Sequence, residues 1–448
     1  MLSLRPYQEE DIKFLSQRNR SACFNEQRTG KTPTALLTLQ KKNCRKILII
    51  CPTSTILPWV EEYEKWLGRP CVPLIGSRHH KNLAIENWTH GLVVSYDSFK
   101  NTRNYTGFAE PILSAKPDGV ILDEAHRIKG RVTKAAEAAY KCKNIPHRIA
   151  LTATPGHNRP HEIFPILKWL YPKTFSSYWK FVEHFFYVYQ KKNQHGSSYR
   201  EIGDFLPGKE KELAKLLNQF STQRKRIEVM PWLPKEEPPI RIKLTPTDLQ
   251  RKYLRELNEY YETENIITQG ILDRLIRERQ ICLHPGILDL KGPSPKIKWI
   301  KQYIKDYPEN HTIIFSKFTT FLKILSKELN LPHGLIIGET PLSTRQRYIK
   351  KFQSDPPQTL LINIDCGKEG LTLDRADDII FTDIFPPVGD IEQAKARFIP
   401  TTEFNIKAQR IFELMLTDTY DEQIYKNIHR LKTEADVVND YKQYLERS

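Results

Sequence analysis

A chain of 448 residues, 39% hydrophobic and 10% aromatic, has the length and apolar content for two or three folded domains, each with its own core. No apolar run reaches the length that crosses a membrane, and the N-terminus lacks the apolar stretch of a signal peptide, which points to a cytoplasmic protein with no membrane partner. The net charge of +16 is spread along the whole chain, so a polyanion, nucleic acid first, is the expected partner.

Seven cysteines show no Cys-x-x-Cys spacing, and Cys23 and Cys51 lie in apolar runs, which argues for a reducing compartment and against structural zinc. His79-His80, flanked by Arg78 and Lys81, reads as an exposed basic loop. From the N-terminus, Leu4-Arg5-Pro6-Tyr7-Gln8 opens a helical pattern that runs through Phe14. A short apolar run, Ala22-Cys23-Phe24, then leads into a loop closing on Gly30-Lys31-Thr32, with a helix of Ala35, Leu36, Leu37 and Leu39 behind it. This is the layout of a phosphate-binding loop: backbone N–H groups surround the phosphates, Lys31 reaches the β and γ oxygens, and the Thr32 hydroxyl faces magnesium. Pro33 suits the first helical turn, where an N–H is dispensable. Asn25 stands where the simple pattern has its first glycine.

Apolar runs at 46–51, 91–94, 119–122 and 148–151 read as strands buried on both faces. They end in Pro52-Thr53-Ser54, Ser95-Tyr96, Asp123-Glu124-Ala125-His126 and Thr152-Ala153-Thr154-Pro155. The pattern predicts a doubly wound parallel sheet with one functional edge at the strands' carboxyl ends. There Asp123 can hold a magnesium shell and Glu124 can orient and polarise the attacking water. Singly, such acids and hydroxyls are ordinary turn residues; their joint position on the edge that carries Lys31 is what suggests chemistry.

Residues 1–155 therefore read as a first, nucleotide-binding lobe, and residues 156–230 as an insertion on it. The insertion holds seven aromatics between Tyr178 and Tyr189, and residues 185–190 and 199–203 are predicted to pair as a hairpin with Lys191 and Lys192 at its tip. The aromatics suit a small core, whereas the basic tip suits DNA phosphates or a strand junction. Residues 231–240 form a proline-rich linker, and 241–295 read as a helical protrusion leading into a second lobe, 296–448. That lobe has its own strands at 312–315, 333–337, 359–364 and 378–381.

In order, Arg5-Pro6-Tyr7-Gln8, Gly30-Lys31-Thr32, Asp123-Glu124-Ala125-His126 (a DEAH box) and Thr152-Ala153-Thr154-Pro155 resemble motifs Q, I, II and III of superfamily 2 helicases. Asn158-Arg159-Pro160-x-Glu162, Leu167-Lys168-Trp169-Leu170, Ser177-Tyr178-Trp179-x-Phe181-Val182-Glu183 and Gln280-Ile281-Cys282-Leu283-His284-Pro285 are similar to the Snf2-like branch. Ser316-Lys317 and Gly367-Lys368-Glu369-Gly370-Leu371-Thr372-Leu373 resemble motifs IV and V, and Gln393-Ala394-Lys395-Ala396-Arg397 resembles motif VI. The resemblance runs from about residue 4 to about residue 440, and so compact a chain is most similar to the Snf2-like helicases of tailed phages that migrate branched DNA.

The resemblance implies an α/β fold of two RecA-like doubly wound parallel-sheet lobes with helical and hairpin insertions. It implies ATP and Mg2+ between the lobes, with Arg5, Gln8, Gly30, Lys31, Thr32 and Gly370 on the nucleotide, and Thr32 and Asp123 on the metal. Glu124 would serve the water, and Arg397 would act as the arginine finger. His126, Thr152, Thr154 and Gln393 would couple nucleotide state to the DNA path. Pro52, Thr53, Ser95, Tyr96, Ser316, Lys317, Gly367 and Thr372 would grip DNA. The family usually has a second motif VI arginine where this chain has Pro400, so either one arginine suffices or another, such as Arg375, substitutes.

The implied activity is that of an ATP-dependent DNA helicase or translocase in replication, recombination and repair, acting as a monomer on forks and four-way junctions, in the host cytoplasm for a phage-encoded chain. Two other readings fit the same residues: a nucleotide-gated ATPase that clamps DNA without unwinding it, and an RNA helicase.

Overall fold

The computed structural model describes residues 3–130, 133–156, 159–192, 196–232, 238–264, 266–268, 271–354, 356–367, 373, 375–383 and 409–422. Asn158, Gly370, Thr372, Gln393, Arg397 and Pro400 lie outside the described residues, as do residues 193–195 at the hairpin tip. The described residues up to Met230 form one compact unit and those from Pro231 onward another. None of the described helices is long and apolar enough to cross a membrane.

In the first unit, strands β1 (Arg20–Cys23), β2 (Ile47–Cys51), β3 (Cys71–Pro73), β4 (Gly91–Ser95), β5 (Gly119–Leu122) and β6 (His147–Leu151) join one sheet. Beyond it, β7 (Phe186–Lys192) and β8 (Ser198–Phe205) make a separate hairpin, and β9 (Ser221–Thr222) returns to the sheet. The order is β3-β4-β2-β5-β6-β1-β9, with every pairing parallel. Parallel strands need helical crossovers, which cover both faces, and the period of two then sends alternate residues into two separate cores. Leu48, Ile50, Val120, Leu122 and Ala150 pack on one face with Phe164, Trp169 and Phe181. Ile47, Ile49, Ile121, Ile149 and Leu151 pack on the other, against helices α1 (Pro6–Ser16), α2 (Lys31–Lys41) and α3 (Ile56–Leu67).

The region predicted as an insertion on the first lobe thus closes that lobe's sheet. Ala22 N donates to Phe220 O and Phe24 N to Thr222 O, and the strand is too short to show an apolar period in sequence. The hairpin forms as expected but runs further, so Lys191 and Lys192 lie on β7 opposite Tyr199 and Ser198 rather than on the turn.

The second unit begins with β10 (Ile240–Leu244), a correction to the expected linker and helical protrusion. Its Ile-Arg-Ile-Lys-Leu alternation is that of an edge strand with one face in solvent, and it pairs in parallel with the last strand of the sheet. Helices Asp248–Tyr260 and Ile271–Leu283 follow, joined through a small ribbon of β11 (Glu262–Thr263) and β12 (Ile266–Ile267). The remaining strands are β13 (Thr312–Ser316), β14 (His333–Ile336), β15 (Thr359–Asn363), β16 (Asp378–Phe381) and β17 (Arg410–Leu416). They form a parallel sheet in the order β10-β17-β16-β13-β15-β14. Each unit is therefore an α/β layer structure around its own parallel sheet, the RecA-like arrangement expected for both lobes.

Candidate active site

The carboxyl ends of β1, β2, β4, β5 and β6 share one edge of the first sheet, where open α/β folds bind ligands. Helix α1 braces the loop after β1 from behind. The Tyr7 hydroxyl donates to Thr29 O at 2.8 Å, and Gln8 Nε2 donates to Gly30 O at 3.3 Å. Arg5 N in turn donates to Gln8 Oε1 at 2.8 Å, so the buried Gln8 amide is held from both sides. Gly30 has a φ of 76° and a Cβ there would sit 2.1 Å from Gln8 Nε2, so both conformation and space require glycine.

Asn25 explains the departure from a glycine at its position. Its Nδ2 donates to Asp11 Oδ2 at 2.7 Å, while Arg224 Nε donates to Asp11 Oδ1 at 3.0 Å. Asp11 and Asn25 are both fully buried, so the polar set ties α1, the loop and the segment after β9 together.

Gly30 caps α2 without a side-chain acceptor, so the helix presents N–H groups of its first turn to an anion. Lys31 Nζ folds onto the same loop and donates to Asn25 O and Glu26 O, both at 3.0 Å. Burial lowers its pKa, and the charges of Glu124 and then Asp123 oppose that shift most among the carboxylates. Thr32 sits partly exposed in the first turn.

Asp123 follows β5 directly. Its Oδ2 accepts from Trp59 Nε1 at 2.8 Å and its Oδ1 accepts from Glu124 N at 3.0 Å. Burial first, then the Glu124 charge, pushes its carboxyl up to about 6. Glu124 has a φ of 46°, a left-handed conformation rare for a side chain of its size. Its buried Oε2 accepts no hydrogen bond and lies 3.4 Å from His126 Nδ1. His126 Nδ1 is also 3.0 Å from Thr152 Oγ1, which accepts from Thr154 N at 3.2 Å. The four residues therefore connect the ends of β5 and β6.

The expected DNA-gripping residues divide. Ser95 and Tyr96 are buried: Ser95 Oγ accepts from Ser98 N, and the Tyr96 hydroxyl donates to Asp123 O at 2.6 Å. Ser316 is likewise buried, donating to Asp383 Oδ1 at 2.8 Å. These three have internal partners in the structure, because hydroxyls at the ends of buried strands are satisfied locally. Thr53 is exposed beside buried Pro52, Lys317 pairs with Asp365 at 2.7 Å, and Gly367 ends the short helix Ile364–Gly367. Arg375 donates to Gln353 O at 2.9 Å. Trp59, Asp11 and Arg224 escaped the sequence reading, since nothing local distinguishes a tryptophan or an ion pair that meets its partner through the fold.

The residues present fit a nucleotide triphosphate with magnesium. An uncapped helix N-terminus and a lysine could meet the phosphates, and Glu124 Oε2, without a hydrogen bond among the described residues, belongs to the same edge. No group of three or more His, Cys, Asp or Glu able to hold a metal occurs among the described residues. Thr32 and Asp123 could therefore hold magnesium only together with phosphate and water oxygens, the mode this ion prefers.

Comparison with known proteins gives the same direction. The family described as the SNF2-related domain matches residues 7–287, and the helicase conserved C-terminal domain matches residues 295–399. The chain is 26% identical over 422 residues to the Bos taurus DNA annealing helicase and endonuclease ZRANB3, covering 88% of this chain and 37% of that protein. It is 25% identical over 517 residues to the Gallus gallus DNA repair and recombination protein RAD54-like, covering 99% and 68%. Among solved structures it is similar to the Sulfolobus solfataricus SWI2/SNF2 ATPase core in complex with dsDNA, with a TM-score of 0.43, 23% identity, and coverage of 98% and 93%.

Proposed function

We infer the function from the premise that this chain belongs to the SNF2-related family, whose domain spans residues 7–287. The chain hydrolyses ATP in response to DNA and uses the cycle to move along and remodel it. Its finer substrate is branched DNA, forks and four-way junctions. The name of the bovine relative, a DNA annealing helicase, and the basic charge of +16 support DNA as the polymer acted on; the branched form follows from the resemblance to junction-migrating helicases.

The observation that carries the reading is the meeting of Lys31, Asp123 and Glu124 at one sheet edge, close enough that both carboxylates act on the lysine's charge. Lys31 leaves its two loop carbonyls to engage the phosphates, exchanging neutral acceptors for charged ones. Thr32 and Asp123 would hold magnesium, which when bound neutralises charge on the phosphate oxygens. Trp59 keeps Asp123 oriented, and Glu124 Oε2, which accepts no hydrogen bond among the described residues, accepts a proton from the attacking water. His126 and Thr152 then register the state of Glu124 at the end of β6.

Hydrolysis is measured on single strand, blunt duplex, fork and four-way junction, with an RNA control. Lys31→Ala and Glu124→Gln should each lower DNA-stimulated hydrolysis by about 10²–10⁴-fold while DNA binding survives. Stimulated hydrolysis at the parental rate in both variants, or stimulation by RNA in preference to DNA, would overturn the reading.

A further inference from the structure

The β7–β8 hairpin has one face that the fold does not use. Phe186, Val188, Ile202 and Phe205 turn inward and pack on the core of the first unit. On the opposite face, Tyr187, Tyr189 and Tyr199 are 41%, 50% and 49% exposed. Large exposed aromatics grouped on one face are the informative exception to burial.

The arrangement of these rings is specific. Tyr187 and Tyr189 are within 15° of parallel, with centroids 6.3 Å apart. A Cβ on Gly203 would lie 2.5 Å from Tyr189 Cε2 and 3.5 Å from Tyr187 Cβ, so the glycine opposite lets the Tyr189 ring lie down over the strand. Tyr199 continues the face across the ladder, where it pairs with Lys191. The hairpin is held in place by Arg200, which stacks over Trp179 at 4.7 Å and pairs with Glu183 at 3.0 Å.

We propose that this tyrosine face is a stacking platform for the unpaired bases of single-stranded DNA. The size of the face decides against a folded protein partner. Two strands of seven or eight residues offer roughly 250 Å² at ~3.4 Å per residue and ~4.8 Å between strands, against about 800 Å² per side for a stable protein interface. That area suits two or three bases, and every base has a π-face that a tyrosine ring can meet without reading sequence. Charge plays the smaller part: Lys191 shares this face but pairs with Glu201, which stands opposite Tyr189, and Lys192 ends β7 on the inward face, so stacking on the rings carries the binding. The inference rests on DNA being the substrate and adds a place where its unpaired strand is held.

The test uses the full chain without nucleotide and compares an oligo(dT) strand, an abasic strand of the same length and a blunt duplex. A Tyr187→Leu/Tyr189→Leu/Tyr199→Leu variant keeps apolar volume but lacks rings; the corresponding triple Phe variant keeps the rings. The Leu variant should lose at least ten-fold in oligo(dT) affinity, the Phe variant should bind like the parent, and abasic strand and duplex should not distinguish the three proteins. Equal oligo(dT) binding by the Leu variant, or an equal loss on abasic strand, would overturn the proposal. Duplex-stimulated hydrolysis in the parent tests the motor reading separately, so either can fail without the other.

Discussion

Replacing Asn25 by glycine would restore the simple phosphate-loop pattern, and the structure expects this to weaken the loop. Asn25 Nδ2 and Arg224 Nε both donate to the buried Asp11 carboxylate. A hydrogen bond to a charged group is worth about 1.5–3 kcal/mol, and glycine adds roughly 0.5–1 kcal/mol of backbone entropy. Against this, Asn25 Oδ1 is buried with no hydrogen-bond partner among the described residues, and its removal returns about 1 kcal/mol. The net local loss is about 1–3 kcal/mol. Because α1 also holds the loop through Tyr7 and Gln8, the effect should appear as faster amide exchange across residues 6–16 and 25–34, by about 5- to 150-fold. Hydrogen–deuterium exchange resolved by peptide reads this directly. Asp11→Ala should produce the same pattern, and the double variant should cost less than the two single losses added together. Unchanged exchange in Asn25→Gly, or strict additivity, would show that the triad does not anchor the loop.

Two further outcomes follow from the same edge. Asp123 titrates near 6 in the folded protein against 3.8 for the free side chain, so the folded state binds that proton more tightly between about pH 4 and 6. The stability it contributes is present below pH 4 and lost as pH rises through 6. Asp123→Asn should therefore stabilise the nucleotide-free protein at pH 7 and give no gain at pH 4 in denaturant titrations; a pH-independent difference would contradict this account. Gly30→Ala should destabilise the first unit by about 1–2 kcal/mol through its left-handed φ of 76°, with a further loss from displacing Gln8. Adding Gln8→Ala should remove only the second part, and a neutral Gly30→Ala in thermal unfolding would refute the conformational argument.

Much of the architecture was readable because its causes are local. Residues 119–122 are apolar in succession and prove buried on both faces, as a parallel strand requires. The hairpin was visible as two alternating runs around a polar turn, and Lys31, Asp123 and Glu124 were found because each follows a strand that ends at the same edge. The two-residue strand β9 and the half-exposed β10 lacked a distinctive run and were assigned to an insertion, a linker and a protrusion instead.

What escaped was the direction and partner of side chains. Ser95, Tyr96 and Ser316 have residue types that suit a phosphate contact, yet each points inward to a neighbour that sequence order does not indicate. Trp59 meets Asp123 across 64 residues, and Arg224 meets Asp11 across 213. Strand identity follows from the period of apolar residues along a few positions, so the linear chain suffices for it. The orientation of a carboxylate depends on which distant donor the packed helices bring within 3 Å, and that distance exists only once the chain has folded.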